Sequence, residues 1–288
     1  MSTRAPPPVS RFESPDGLSL AYERVGAPSD PAVLFAHGFG QTRHAWTATA
    51  EALSRLGCCC YAIDGRGHGD SAWSPDGHYD LEQFIADARA LGTAFAPRPV
   101  WIGASMGGLV GLMAEATQPE GLFRALVLVD ITPRWEPEGV ARIMTFMRAR
   151  PQGFASLDEA QAAVETYLPH RARAKSPERL AKLLVQSEDG RYRWHWDPRL
   201  LDTVAVAASS YVERLNQAAK RLTLPVLLVS GGNSDVVSDA TIAEFQQLVP
   251  HAEHVRIPHA THTVAGDDNT RFSNVIAQYL ERLPRSRS

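Results

Sequence analysis

Cysteine is scarce and oddly placed: the 288 residues contain three, Cys58, Cys59 and Cys60, in a row. Adjacent thiols build no disulfide framework and have no metal-ligand spacing. Set in Gly57-Cys58-Cys59-Cys60-Tyr61-Ala62-Ile63, they read as small apolar residues of a buried strand, a use that suits a reducing compartment. Lysine is nearly absent. Lys175, Lys182 and Lys220 are three among 29 basic residues, which is a compositional bias and not a site. There is no basic excess either: 29 basic against 32 acidic residues leave a formal charge of −3, so nothing argues for a nucleic-acid or anionic-membrane partner. No apolar run approaches the roughly 18 residues of a membrane span. The first ten residues hold one Arg and three prolines but no apolar stretch of a secretory signal, so a cytoplasmic protein is expected. No dinucleotide fingerprint follows the first parallel strand and no metal spacing occurs, so neither cofactor nor metal is expected.

What is present is alternation. Short apolar runs at residues 32–37, 58–64, 100–105, 125–131, 226–230 and 254–258 predict strands. Two more, near residues 9–12 and 18–24, flank the turn Pro15-Asp16-Gly17 and predict an N-terminal hairpin. Helical patterns lie at residues 44–56, 79–95, 108–117, 239–248 and 270–283. Strand–helix alternation of this kind predicts an α/β fold, a mostly parallel eight-stranded sheet flanked by helices. The alternation stops between Pro133 and Leu222, where no strand is expected and residues 138–148, 157–167, 177–186 and 202–220 are helix candidates. The domain reading is a core of residues 1–133 and 222–288 with an inserted helical cap, 134–221, over the pocket.

Three segments carry chemistry. Gly103-Ala104-Ser105-Met106-Gly107 follows the apolar run at 100–102 and opens a helix, and its glycines leave room for a tight turn that projects Ser105. His37-Gly38-Phe39-Gly40 follows the run at 32–36. A serine nucleophile needs N–H donors for the oxyanion it creates, and the amides of Phe39 and Met106 are placed to supply them. His37 itself reads as a brace of that loop. The third is Pro258-His259-Ala260-Thr261-His262-Thr263-Val264 after the last strand, where His259 and His262 compete as the base that takes the serine proton. The pair could hold a metal with Asp267 or Asp268, but it matches no metal motif. A base needs a carboxylate to fix its tautomer, and two qualify: Asp130 at the end of one strand and Asp235 in the loop after another. Both keep the order Ser, Asp, His.

These segments resemble those of α/β-hydrolase-fold serine hydrolases, and the resemblance spans nearly the whole chain. His37 to Gly40 is similar to the family's oxyanion motif. Asp64-Gly65-Arg66-Gly67-His68-Gly69-Asp70-Ser71 is similar to its turn after the fourth strand, a structural element that gives His68 no catalytic role. Residues 103–108 resemble the nucleophile elbow. The stretch from His262 to Asp268 resembles the family's closing motif, which selects His262 over His259, although His259-Ala260-Thr261 replaces a smaller lead-in. The resemblance places the acid at Asp235, with Asp130 the alternative, because Asp-Ile-Thr-Pro recurs in some family esterases where this aspartate joins the catalytic group.

The implied function is a carboxylesterase-like hydrolase, with Ser105, His262 and Asp235 as triad, acting on a small-molecule acyl substrate through an acyl-enzyme. Serine at the nucleophile position counts against the dehalogenases and epoxide hydrolases of the fold, which carry Asp there. C–C bond hydrolysis, cofactor-free perhydrolase or peroxidase activity, and a catalytically silent binding role are the alternatives. In the cap, Trp135 and Trp194 are candidate pocket aromatics, against the plainer reading that they and Trp196 are the cap's own core. Arg171, Arg173 and Lys175 read as a solvated charge run.

Overall fold

Period-2 burial explains the sheet. On one face Leu34, Trp101, Leu126, Leu128, Val226 and Leu228 join one core; on the other Val33, Phe35, Ile102, Val127, Val129 and Leu227 join a second. Strands apolar on both faces need cover on both, which is how parallel sheets are built. The computed structural model describes residues 8–167, 180–202 and 211–284. Its strands are β1 (Val9–Glu13), β2 (Ser19–Val25), β3 (Ala32–Ala36), β4 (Cys59–Ile63), β5 (Val100–Ala104), β6 (Ala125–Val129), β7 (Leu184–Gln186), β8 (Tyr192–Trp194), β9 (Val226–Gly231) and β10 (Glu253–Ile257). Eight form one sheet in the order β1-β2-β4-β3-β5-β6-β9-β10. β1 and β2 pair antiparallel, as the turn at Gly17 predicts, and β2 meets β4 antiparallel; from β4 to β10 all pairs are parallel.

Helices α1 (Thr47–Ser54), α2 (Leu81–Thr93) and α3 (Met106–Ala116) follow β3, β4 and β5. Asp80 starts α2 with a capping box: its carboxylate accepts the Gln83 N–H at 2.8 Å, and its own N–H donates to the Gln83 side chain at 3.0 Å. The turn between β4 and α2 is built from charge. Arg66, 1% exposed, donates to both oxygens of Asp87 at 2.7 Å and to Asp16, while Asp64 holds Arg43. After β6 come α4 (Pro137–Arg148) and α5 (Leu157–Tyr167), then α6 (Val212–Ala219), α7 (Asp239–Leu248), the short α8 (Val264–Asp267) and α9 (Asn269–Arg282).

Two expectations for the insert are corrected. β7 and β8 form an antiparallel hairpin there, with Leu184 opposite Trp194, so the stretch is not all helix and the candidate at 177–186 ends as a strand. α6 packs on α3 and buries Leu215, Ala218 and Ala219 in the main core, so the chain has rejoined the core before residue 221. The charge run at 171–175, the start of the 177–186 candidate and most of the first half of the 202–220 candidate lie outside the described residues. No described helix is long and apolar enough to cross a membrane.

Candidate active site

Ser105 sits between β5 and α3 with φ +48° and ψ −118°, a backbone state that residues bearing a Cβ rarely adopt. Close packing holds it there. A Cβ on Gly103 would lie 2.3 Å from the Gly107 carbonyl oxygen, and one on Gly107 would lie 2.6 Å from that of Ala36. The start of α3 therefore approaches β5 and β3 more closely than any side chain allows. The Ser105 N–H donates to the Val129 carbonyl at 3.0 Å, and its own carbonyl accepts from Gly108 and Leu109, so the turn is bonded on both sides. Among the described residues, the amides of Phe39 and Met106 enter no backbone hydrogen bond.

His262 stands in the loop after β10. Asp267 shapes that loop, accepting from the Thr261 N–H at 2.8 Å, the Thr261 hydroxyl at 2.5 Å and the Thr263 hydroxyl at 2.9 Å. The imidazole Nδ1 lies 2.8 Å from Oδ2 of Asp130. Asp130, at the end of β6 with φ +50°, is fully buried; its Oδ1 accepts the Gly231 N–H at 2.7 Å and its Oδ2 accepts the Ser234 hydroxyl at 2.5 Å. The expectation that Asp235 orients His262 is thus corrected. The Asp235 side chain is 32% exposed and pairs with Arg142 of α4. His259, with φ +65°, is exposed and is not the imidazole held by a carboxylate.

Ser105, His262, Phe39 and Asp235 share a cavity of about 270 Å³. Its far walls are Ile143, Phe146 and Met147 of α4, Tyr167 of α5 and Trp194 of β8. Trp194 meets Phe146 at 5.8 Å and Phe154 at 5.4 Å between ring centroids, both edge-on. Trp135 is not among the lining residues and packs instead against the main core. Of the two candidate aromatics, Trp194 therefore lines the cavity that holds Ser105 and His262, and Trp135 does not. Reasoning from sequence missed Phe146, Tyr167 and Arg142. The signal was present: Ile143, Phe146 and Met147 recur at i, i+3 and i+4 on a helix read over 138–148, one apolar face of the cap.

His37 braces its loop, as expected. The Gly65 N–H donates to its Nε2 at 2.9 Å, so the proton is on Nδ1, which donates to the Gly38 carbonyl at 2.8 Å. Burial holds the ring's pKa below its ordinary value, against the pull of Asp64.

A mostly parallel sheet covered on both faces, with a serine on a strained strand-to-helix turn, defines an α/β hydrolase. The profile of the alpha/beta hydrolase fold family matches residues 31–268, and the chain belongs to that family and is a hydrolase of it. It is 32% identical over 268 residues to the 3-hydroxybutyrate-oligomer hydrolase of Cupriavidus necator, covering 86% of this chain and 89% of the relative. An esterase of Mycobacterium tuberculosis is 29% identical over 285 residues, 95% of this chain and 90% of the relative. Among solved structures, E-2-(acetamidomethylene)succinate hydrolase superposes with a TM-score of 0.82 at 25% identity, covering 95% of this chain and 98% of that one.

Proposed function

We propose that the protein is a serine esterase that cleaves a carboxylic ester or related acyl substrate through an acyl-enzyme on Ser105. One observation carries this reading: a serine on a strained elbow shares a cavity with an imidazole whose Nδ1 lies 2.8 Å from a buried carboxylate. With Nδ1–H donating to Asp130, Nε2 of His262 is left as the acceptor for the Ser105 proton. Ser105 Oγ attacks the substrate carbonyl, and the N–H groups of Phe39 and Met106 receive the oxyanion. His262 returns the proton to the leaving alkoxide. Water, deprotonated by the same Nε2, then releases the acid and frees Ser105. Asp130 Oδ2 accepts the Nδ1–H throughout and stabilises the imidazolium.

The aromatic far wall of the cavity suits an apolar acyl chain. Oligomers of 3-hydroxybutyrate, the substrate in the Cupriavidus necator relative's name, are the first compounds to assay. Buried cysteines used as apolar residues suit a reducing, cytoplasmic setting. The test is labelling by a fluorophosphonate, which is expected on the wild type and lost in Ser105→Ala. Label retained on another serine overturns the reading. Labelling without turnover across an acyl-ester series overturns its ester part and points to C–C bond or peracid chemistry on the same serine.

A further inference from the structure

The oxyanion loop is bonded to two imidazoles. The Phe39 N–H belongs to the Gly38–Phe39 peptide, and in a trans peptide the carbonyl and the N–H point opposite ways. His37 holds that carbonyl at 2.8 Å and so aims the N–H. The next peptide is held from the other side: the Gly40 N–H donates to Nε2 of His68 at 3.2 Å. Both peptide planes that flank the Phe39 Cα are therefore tied, and Phe39 cannot rotate without breaking a bond. His68 is fully buried and donates its Nδ1–H to the Arg66 carbonyl at 3.0 Å, which leaves Nε2 as the acceptor. Its ring lies 5.0 Å from His37 and 5.6 Å, edge-on, from Phe39.

A third imidazole continues this into the cap. His195 follows β8, and its Nδ1 accepts the N–H of Gly69, the residue after His68, at 2.7 Å. Its ring is 6.3 Å from His68. The neighbouring Trp196 stands 5.3 Å from Phe39, and a Cβ on Gly40 would meet the methyl group of Met147 of α4 at 2.1 Å. All three imidazoles accept an N–H, a role that only the neutral ring can fill. The charged groups facing them are Asp64 and Arg43 at His37, and Asp64 at His195, while His68 faces the other two rings.

We propose that His68 is a positioning residue for the oxyanion hole, clamping the Phe39 peptide opposite His37, and that His195 ties this clamp to the cap. The inference rests on the reading of Ser105 as nucleophile and of Phe39 as an oxyanion donor. A misaimed donor costs rate at the chemical step, less than the roughly 10²–10³-fold of a deleted one, and leaves ground-state binding intact.

The test compares His68→Phe, which keeps a flat ring beside Phe39 but has no acceptor, with His68→Gln, whose Oε1 can accept from Gly40. Rates are expressed per active site titrated with a phosphonate, so a misfolded fraction drops out. His68→Phe is expected to lower kcat by about 10- to 100-fold at unchanged KM, and to weaken a trifluoromethyl ketone inhibitor in parallel. His68→Gln is expected to recover most of the loss. If His68→Phe does not fold, His195→Leu against His195→Asn asks the same question from the cap, and the same ordering is expected. Equal kcat for the members of a pair, or a loss seen only as fewer titratable sites, overturns the clamp. A wild type that takes no phosphonate overturns the serine-esterase reading and the clamp with it.

Discussion

Replacing Asp130 by Asn tests which aspartate serves His262 in the proposed mechanism, and the hydrogen bonds of Asp130 give the expected outcome. Oδ1 of Asp130 accepts the Gly231 N–H, and Oδ2 is shared by the Ser234 hydroxyl and Nδ1 of His262. In an asparagine of the same shape, the N–H of Gly231 demands the amide oxygen at Oδ1. The amide NH₂ is then turned toward His262. Facing a donor, Nδ1 becomes the acceptor and the ring proton moves to Nε2, the nitrogen that takes the proton of Ser105 in the proposed mechanism. The same tautomer change in a serine protease triad costs about 10⁴ in turnover. That is about 5 kcal/mol of transition-state stabilisation at 1.36 kcal/mol per tenfold. Asp235→Asn should do little. It breaks a rim ion pair with an Arg142 side chain that is 60% exposed, and exposed pairs contribute about 0–1 kcal/mol. Initial rates on a chromogenic ester and second-order rates of phosphonate labelling measure both, with circular dichroism confirming the fold. The reasoning is refuted if Asp235→Asn is the more damaged, or if folded Asp130→Asn keeps activity within tenfold of wild type.

Gly107→Ala drives a methyl group into the Ala36 carbonyl, backbone that cannot step aside; a loss near the upper end of about 1–3 kcal/mol is expected in urea unfolding, with slower phosphonate labelling, and unchanged stability would refute the close-packing account of the elbow. Trp194→Ala should shift the ratio of kcat/KM between acetyl and octanoyl esters by about tenfold, because Trp194 lines the cavity, while Trp135→Ala should cost stability and leave that ratio alone. Acid should destabilise the fold through the buried imidazoles. Burial, chiefly, holds His195 at about 4 against an ordinary 6.5, so between those values the unfolded chain binds the proton that the folded chain refuses, and stability falls as pH falls. Across that window His195 alone removes roughly 3 kcal/mol, and urea midpoints for His195→Asn should show a flatter slope with pH than wild type.

The core was legible because parallel strands covered on both faces leave a strong trace: β6 reads Ala-Leu-Val-Leu-Val and is buried at every position. The elbow was legible for a steric reason, since only glycine fits where Gly103, Gly107 and Ala36 converge. The cap was legible in part. Helix α5 spans residues 157–167 as read, but β7 and β8 have three residues each, too short for alternation to declare itself. Trp135 and Trp194 are alike in composition, and which of them faces the cavity depends on how the cap sits over the sheet. That placement is tertiary. It is set partly by Ser238, whose hydroxyl bonds Glu136 at 2.5 Å, and by the Glu136 N–H, which donates to the Val236 carbonyl at 2.9 Å. Neither contact has a local signature.

The choice between two aspartates shows where local reading runs out. β6 and β9 are hydrogen-bonded neighbours, so the loops that follow them leave the same edge of the sheet side by side. Spacing along the chain brings both carboxylates to that edge and cannot rank them. What ranks them is the direction each side chain takes. Asp130 follows β6 at once, and its φ of +50° turns the carboxylate inward, across the end of β9. Asp235 comes four residues after the end of β9, beyond the turn at Ser234, and its carboxylate leaves toward α4. The end of β9 and the loop after it supply donors instead: the Gly231 amide and the Ser234 hydroxyl satisfy the Asp130 carboxylate, which is fully buried. A buried carboxylate needs such donors as much as it needs the imidazole, because a polar group left without a partner at that depth is costly. The two strand ends therefore divide one task, with the carboxylate at the end of β6 and its hydrogen-bond donors on β9 and the loop that follows it.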